Sequence, residues 1–244
     1  MSTPAGTGDT VTPRPDRARW SEVGAPLLAV VTVVALSLGV LLGWLVFGER
    51  SPGDTSADAG FARDMSEHHA QAVEMSLLVM ERTDDEDVRR LARDIATTQS
   101  NQQGRMAAWL QDWGLPMARP GERMDWMDGH GEHTAVPAGA PMPGMATPQE
   151  IDQLTDAEGE QAEVLFLQLM TTHHLAGVEM AEAAVDLAAE QPLVALAQGM
   201  ADAQESEIGL MTDMLADRGA EPREDVSALL DAGPGDGAEH TGGH

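Results

Sequence analysis

The chain of 244 residues contains no cysteine, no tyrosine and no lysine, and only three phenylalanines. Without cysteine there can be no disulfide bond, no thiolate nucleophile and no cysteine-based zinc or iron–sulfur site. The shortage of aromatic residues argues against a β-sandwich, whereas the abundant Ala, Leu, Met, Glu and Gln are strong helix formers. All 14 basic residues are arginines that form no basic stripe, and the net charge is −27. The sequence therefore predicts no nucleic-acid partner, and any metal site would have to use His, Met, Asp or Glu.

One long apolar segment lies near the N-terminus, where residues 23–48 carry no charge. A stretch of this length spans a bilayer as a helix, so we predict a membrane helix over 25–48, as an anchor or an uncleaved signal. Three arginines precede the segment and a single one follows closely: Arg14, Arg17, Arg19 and Arg50. This bias predicts a cytoplasmic tail over 1–24 and an extracytoplasmic location for the rest.

The alternative interpretation of this segment is a cleaved signal peptide, with Ala57-Asp58-Ala59 as a small-residue cleavage site. Both interpretations export the remainder of the chain. They differ in whether it stays at the cell membrane as a single-pass protein or is secreted.

An internal repeat organises the exported part. Residues 61–75 and 166–180 share Phe, Met, a His pair and the run Val-Glu-Met at an offset of 105, and 88–114 aligns with 193–219 without a gap. Such self-similarity is typical of a duplicated structural unit. We therefore predict two repeats, 61–114 and 166–219, joined by a Met/His/Pro/Gly-rich connector over 115–148.

Each repeat has the start and stop signals of a helical hairpin. In the first repeat, helices are predicted over about 60–82 and 86–113. Asp84 or Asp85 can cap the second of these helices, and Gly114 is a usual residue just beyond a helix end.

The second hairpin is predicted as helices over about 147–190 and 192–219, the first of them opened by a Thr-Pro pair. Two hairpins with a long connection predict an all-α fold, a ferritin-like four-helix bundle over 60–219, in addition to the transmembrane helix. The Gly-rich acidic tail over 220–244 is predicted to be disordered.

Methionine and histidine recur on the predicted inner faces of the helices. In each repeat, Met lies one helical turn from two adjacent His residues, and the second helix supplies a further Met. The predicted metal ligands are Met65, His68, His69, Met75, Met106, Met170, His173, His174, Met180 and Met211. A lone Met at helical spacing usually only fills the core, and a lone His is usually satisfied internally. Four imidazoles beside Met, in the same arrangement twice, favour metal binding instead, because burying unpaired imidazoles costs free energy.

The ligand types select the metal. Thioethers and neutral imidazoles suit copper(I), whereas carboxylates would suit iron, manganese or calcium. Gln99 and Gln204 repeat on otherwise apolar stripes, where they either hold the histidine tautomers or bond only to the backbone. Glu74 and Glu179 are predicted to project away from Met65 and Met170, toward solvent or an interhelical salt bridge.

The connector holds a second candidate site, in which Met and His recur every three residues. Its residues are Met124, Met127, His130 and His133, and Met142 and Met145 follow. A flexible string of this kind can wrap a copper ion without a preformed cage. The alternative is a low-complexity loop with incidental Met.

With these residues, the chain resembles the domain of unknown function 305 family. The resemblance lies in the Met-x-x-His-His-x-x-x-Val-x-Met run at 65–75 and 170–180 and in the later Gln, Met and Leu of 99–110 and 204–215. It covers about residues 60–219 and implies a fold similar to ferritin-like bundles. Because some members are exported copper-binding proteins of metal resistance with Met and His ligands, it also implies copper handling by the matching positions. The family has no established enzymatic activity.

Two other functions stay open. A di-iron ferritin-like oxidase would use Glu-x-x-His on two helices, and this motif does not occur in the sequence. A structural or interaction bundle with internally satisfied His pairs would need no metal. The sequence therefore predicts a metal-binding protein rather than an enzyme, with a metal ion and the membrane as partners, and leaves a homo-oligomer open.

Overall fold

A computed structural model describes residues 19–47, 51–118, 122–128, 136 and 138–223. The chain forms two units, Met1–Arg50 and Ser51–His244, and the first contains one long helix, α1 (Arg19–Phe47). Within α1, the stretch Pro26–Trp44 is long and apolar enough to cross a membrane, and its side chains are almost all exposed. By length and composition, α1 fits the membrane helix predicted over 25–48.

The second unit is built from two helical hairpins. Helix α2 (Ala57–Arg82) pairs with α3 (Glu86–Asp112), α5 (Glu160–Leu187) pairs with α6 (Gln191–Asp217), and α2 packs against α5. A short helix, α4 (Pro148–Asp156), and a single 3-10 turn, Asp125–Met127, lie between the hairpins. The described residues include no strand. The predicted all-α, ferritin-like bundle of two duplicated hairpins is confirmed.

The helix ends follow from local sequence. Asp85 caps α3, because its carboxylate accepts hydrogen bonds from the backbone N–H groups of Asp87 (3.0 Å) and Val88 (2.9 Å). Beyond α3, Gly114 has a φ of 71°, a left-handed conformation that glycine adopts without a Cβ clash. Gly219 follows α6 with a φ of 65°. The cap and stop signals thus set the length of both hairpins.

The long helix predicted at the start of the second hairpin is interrupted. The sequence predicts one continuous helix over about 147–190, but the structure divides it into α4 and α5 at residues 157–159. Gly159 has a φ of 57°, and its N–H donates to the carbonyl of Arg82 (2.7 Å), the last residue of α2. This contact satisfies a helix-terminal carbonyl that has no partner within its own helix. The prediction of a continuous helix was wrong because a tertiary hydrogen bond replaces a helical one.

Two buried acids join the repeats reciprocally. The carboxylate of Asp58 on α2 accepts hydrogen bonds from the backbone N–H groups of Ala189 (3.1 Å) and Glu190 (2.8 Å) in the α5–α6 turn. Its counterpart at the offset of 105, Glu163 on α5, accepts a hydrogen bond from the Thr83 hydroxyl in the α2–α3 turn. A carboxylate near the start of each hairpin thus accepts hydrogen bonds from the interhelical turn of the other hairpin. This reciprocal contact indicates an approximate two-fold relation between the repeats.

Replacing Asp58 with Ala is expected to lower the free energy of unfolding by about 1–3 kcal/mol, because two backbone donors lose a buried acceptor. Urea unfolding of the unit from Ser51 onward measures the change. The control is Asp94→Ala on α3, an exposed position, which should shift the value by no more than about 0.5 kcal/mol. Equal unfolding curves for Asp58→Ala and the unaltered chain would contradict this role.

Candidate metal centre

The two repeats meet at a pair of buried histidines. His68 on α2 and His173 on α5 are both fully buried, and their ring centroids lie 3.7 Å apart with 34° between the ring planes. The Nε2–H of His173 donates to the backbone carbonyl of His68 (3.1 Å). The structure therefore brings one predicted ligand of each motif together at the α2–α5 interface.

The neighbouring histidines, His69 and His174, are also buried, and each faces the second helix of its own hairpin. His69 Nε2 donates to Gln102 Oε1 on α3, and His174 Nε2 donates to Glu207 Oε2 on α6, both at 2.7 Å. Gln102 and Glu207 are related by the same offset of 105. Consecutive side chains of a helix diverge by about 100°, so each His pair has one ring between the repeats and one inside a hairpin.

Each of the four imidazoles retains a ring nitrogen without a hydrogen bond. Carbonyl and carboxylate oxygens only accept, so Nε2 carries the proton in His69, His173 and His174. Their Nδ1 atoms, and at least one ring nitrogen of His68, are buried without a partner. The pattern fits a metal ion, because a ligating imidazole usually donates its other N–H to a carboxylate or carbonyl group.

Burial keeps three of these histidines, His68, His69 and His173, neutral. It lowers the pKa of His68 to about 3 and that of His69 to about 4, and it lowers the pKa of His173 well below its ordinary value. Repulsion from neighbouring imidazoles lowers the pKa of His68 and His173 further, whereas the hydrogen bond to Gln102 partly offsets the shift of His69. A neutral imidazole is the ligating form, so these rings need not lose a proton to bind a metal near neutral pH.

The helical methionines are buried, as predicted. All six belong to the contiguous apolar core, with exposed fractions of at most 1%: Met65, Met75, Met106, Met170, Met180 and Met211. Met65 lies one turn before His68, and Met170 lies one turn before His173, so each thioether shares a helix face with an imidazole. Their burial is confirmed, and their role as metal ligands stays a prediction.

Nitrogen and oxygen donors alone do not form a metal cage here. Within the described ranges, no group of three or more His, Asp and Glu side chains could hold a metal ion. A coordination sphere built on these imidazoles would therefore need donors other than His, Asp and Glu side chains.

Gln99 and Gln204 are not the partners of the histidines. They line a cavity of about 20 Å³ between α3 and α6, and Gln204 packs against Gly177, where an added Cβ would lie 2.3 Å from its Oε1. The residues that do hold the histidine tautomers are Gln102 and Glu207, which line the same cavity. Sequence reasoning missed both, although each lies one turn after a repeated Gln and the two share the repeat offset.

The two repeated glutamates do not point into the centre. Glu74 is exposed and Glu179 is half-buried, whereas the imidazoles of both motifs are buried. This agrees with the expectation that both side chains project away from the helical ligand set.

Two methionines of the connector, Met124 and Met127, contact the helical bundle. Met124 has a left-handed backbone (φ 68°), and its N–H donates to Asp64 Oδ2 on α2 (2.9 Å). Met127 is buried in the apolar core. Whether these two methionines belong to a metal-binding string, and whether they are metal ligands, stays a prediction. His130 and His133 lie outside the described residues.

Comparisons with known proteins agree with this fold. The chain matches, over residues 58–215, the family described as Domain of unknown function (DUF305). A DUF305 protein of Streptomyces coelicolor that is considered to be secreted is 52% identical, with a TM-score of 0.64, and the match covers 70% of this chain and 98% of that one. A DUF305 fragment from Deinococcus radiodurans is 32% identical, with a TM-score of 0.55, and the match covers 66% and 95%.

A more distant solved structure is that of CopM in its copper(I)-bound form. It is 20% identical, with a TM-score of 0.51, and the match covers 66% of this chain and 96% of CopM. At that identity the likeness concerns the fold alone. No curated protein matches the chain.

Proposed function

Because the chain belongs to the DUF305 family, we propose that it is an extracytoplasmic copper-binding protein whose buried Met and His side chains hold copper(I). The observation that carries the proposal is a set of four buried imidazoles, each with a ring nitrogen that meets no hydrogen-bond partner. Leaving such atoms unpartnered costs about 1–3 kcal/mol each. A bound metal ion would offset that cost by accepting their lone pairs.

Copper(I) suits this donor set better than a hard cation does. Thioether sulfur and neutral imidazole are soft or borderline donors, whereas iron, manganese or calcium would want several carboxylates. Each motif contributes Met, a His pair and a second Met, and the neighbouring helices contribute Met106 and Met211. CopM, which has a similar fold, binds copper in its solved structures, and this supports the choice of metal.

Anaerobic titration with copper(I) tests the proposal directly. The unaltered chain should compete with a chromogenic copper(I) chelator and should bind copper(I) more tightly than zinc(II) or iron(II). Met65→Leu with Met170→Leu nearly preserves volume and apolarity, so the fold should survive, as judged by far-UV circular dichroism, while copper(I) affinity falls. A chain that binds no copper(I) would instead be a structural or interaction bundle, and a chain that prefers zinc(II) would contradict the choice of copper.

The partner of His174 should matter for affinity. Replacing Glu207 with Gln keeps a hydrogen-bond acceptor but removes the negative charge beside the imidazole, so copper(I) affinity should fall about tenfold. The matched control is Gln102→Glu, which makes the reverse exchange at the related position beside His69 and should not lower affinity. Equal losses in both variants would mean that packing, rather than charge, is what Glu207 provides.

We also propose that α1 holds the protein in the membrane with its second unit outside the cytoplasm. The arginines that precede the apolar stretch and the length of α1 support this orientation. A reporter that is active only outside the cytoplasm should be active when fused after His244. Activity of a strictly cytoplasmic reporter at the same position would overturn the orientation.

A further inference from the structure

We propose that a turn of the connector, residues 142–146, completes the copper site by placing the sulfurs of Met142 and Met145 against the His68–His173 pair. We call this segment the Met turn. The proposal rests on the proposed copper binding and names thioether ligands that none of the four bundle helices supplies. In this arrangement the Met turn lies between the bound ion and solvent.

The Met turn lies on the two helices that carry these histidines. On the α2 side, the carbonyl of Pro143 is close enough to the His68 ring to oppose, in part, the lowering of its pKa. On the α5 side, a Cβ added to Gly144 would stand 2.9 Å from the carbonyl oxygen of Thr172 and 3.4 Å from the Cα of His173. The middle of the turn therefore contacts both histidine-bearing segments, and the two methionines flank it.

Specific hydrogen bonds hold the Met turn in this position. The N–H of Met145 donates to the carbonyl of Met142 (3.3 Å), which closes the turn. Gln71 on α2 binds the last residue of the Met turn through two hydrogen bonds. The Ala146 N–H donates to Gln71 Oε1 (2.7 Å), and Gln71 Nε2 donates to the Ala146 carbonyl (2.9 Å). Thr147 follows at once as the cap of α4, with a full capping box. The turn is thus positioned by α2 and α4 as well as by its contact with α5.

Packing in the apolar core does not explain why the side chains of Met142 and Met145 are buried. Met142 and Met145 are 1% and 5% exposed. Among the described residues, however, they are not members of the contiguous apolar core, which does include the adjacent Ala146. The turn instead lies beside His68 and His173, each of which keeps a ring nitrogen without a partner. A thioether is too weak an acceptor to satisfy an imidazole, whereas a shared soft ion would satisfy both ligand types.

The test uses the full-length chain in detergent micelles, with copper(I) alone as the probe. Met142→Leu and Met145→Leu, singly and together, nearly preserve volume, so far-UV circular dichroism of the metal-free chain should not change. In the double variant, copper(I) affinity should fall at least about tenfold, since loss of an outer-shell partner alone can cost that much. X-ray absorption at the copper edge should count fewer sulfur neighbours than in the unaltered chain.

The control is Met200→Leu with Met214→Leu, which removes two buried methionines from the apolar core and should leave affinity and sulfur count unchanged. If the unaltered chain binds copper(I) and the double variant matches it in both readouts, the Met turn is not part of the site, while copper binding stands. If the unaltered chain binds no copper(I), the proposed function fails and this assignment fails with it. Should the double variant unfold, the same two readouts on the single variants decide the matter.

Discussion

The double substitution His68→Leu/His173→Leu is expected to lower copper(I) affinity by at least about 100-fold, the upper end of what loss of an outer-shell partner costs. The two rings are in contact where the repeats meet, and both carry unpartnered nitrogens. The substitution therefore removes ligands of both motifs at once. Anaerobic competition with a chromogenic chelator measures the change.

The same substitution should leave the metal-free fold as stable as before, or make it more stable. It replaces buried polar atoms that lack partners, each costing about 1–3 kcal/mol, with apolar groups. Copper(I) at a thousand times its dissociation constant should stabilise the unaltered chain by about 4 kcal/mol. At the same copper(I) concentration, a 100-fold loss of affinity should cut this gain to about 1.4 kcal/mol or less in the variant. Leu110→Ile with Leu215→Ile, a repeat-related core pair without imidazoles, should keep both the affinity and the gain. Normal copper(I) binding by the His variant would refute the assigned ligands.

The fold could be predicted because the duplication carries its own local signals. Residues that match at the offset of 105, such as His68 and His173, lie on the corresponding helices of the two hairpins. The cap at Asp85 and the stops at Gly114 and Gly219 place helix ends to within a residue or two. The helical period of the methionines also predicted that they are buried, because a period of 3.6 residues specifies which face meets the core.

Contacts between elements could not be predicted in the same way. Helical periodicity says which face of a helix is buried, but not which residue of a neighbouring helix it meets. Gln102 and Glu207 were therefore missed, since each lies 33 residues from the histidine that it bonds. The break at Gly159 depends on a carbonyl at the end of α2. Met142 and Met145 could not be placed, because the connector has no periodicity that would fix their neighbours.

Acidification is expected to destabilise the metal-free bundle steeply below pH 6.5. The pKa is lowered to about 3 for His68 and about 4 for His69, and it lies well below its ordinary value for His173, whereas each titrates near 6.5 in the unfolded chain. Between these values the unfolded chain binds more protons than the folded one, so the free energy of unfolding falls as pH falls. Their contribution is complete above pH 6.5 and is lost progressively toward the folded pKa. Three such groups remove about 5 kcal/mol between pH 6.5 and 5, comparable with the whole stability of a small domain.

Urea unfolding of the metal-free unit from Ser51 onward, at pH 7, 6 and 5, measures this loss. The His68→Leu/His173→Leu variant keeps one of the three groups, so its pH dependence should be smaller by about two thirds. Burial also raises the pKa values of Asp64 and Glu182, and this makes the free energy of unfolding rise as pH falls. Because the ordinary pKa of a carboxyl group is near 4, this opposite effect acts at a more acidic pH than that of the histidines. Copper(I) should move the transition to lower pH, because it binds only unprotonated imidazoles of the folded chain. An equal pH dependence in the unaltered chain and the variant would mean that His68 and His173 are not the groups whose protonation unfolds the bundle.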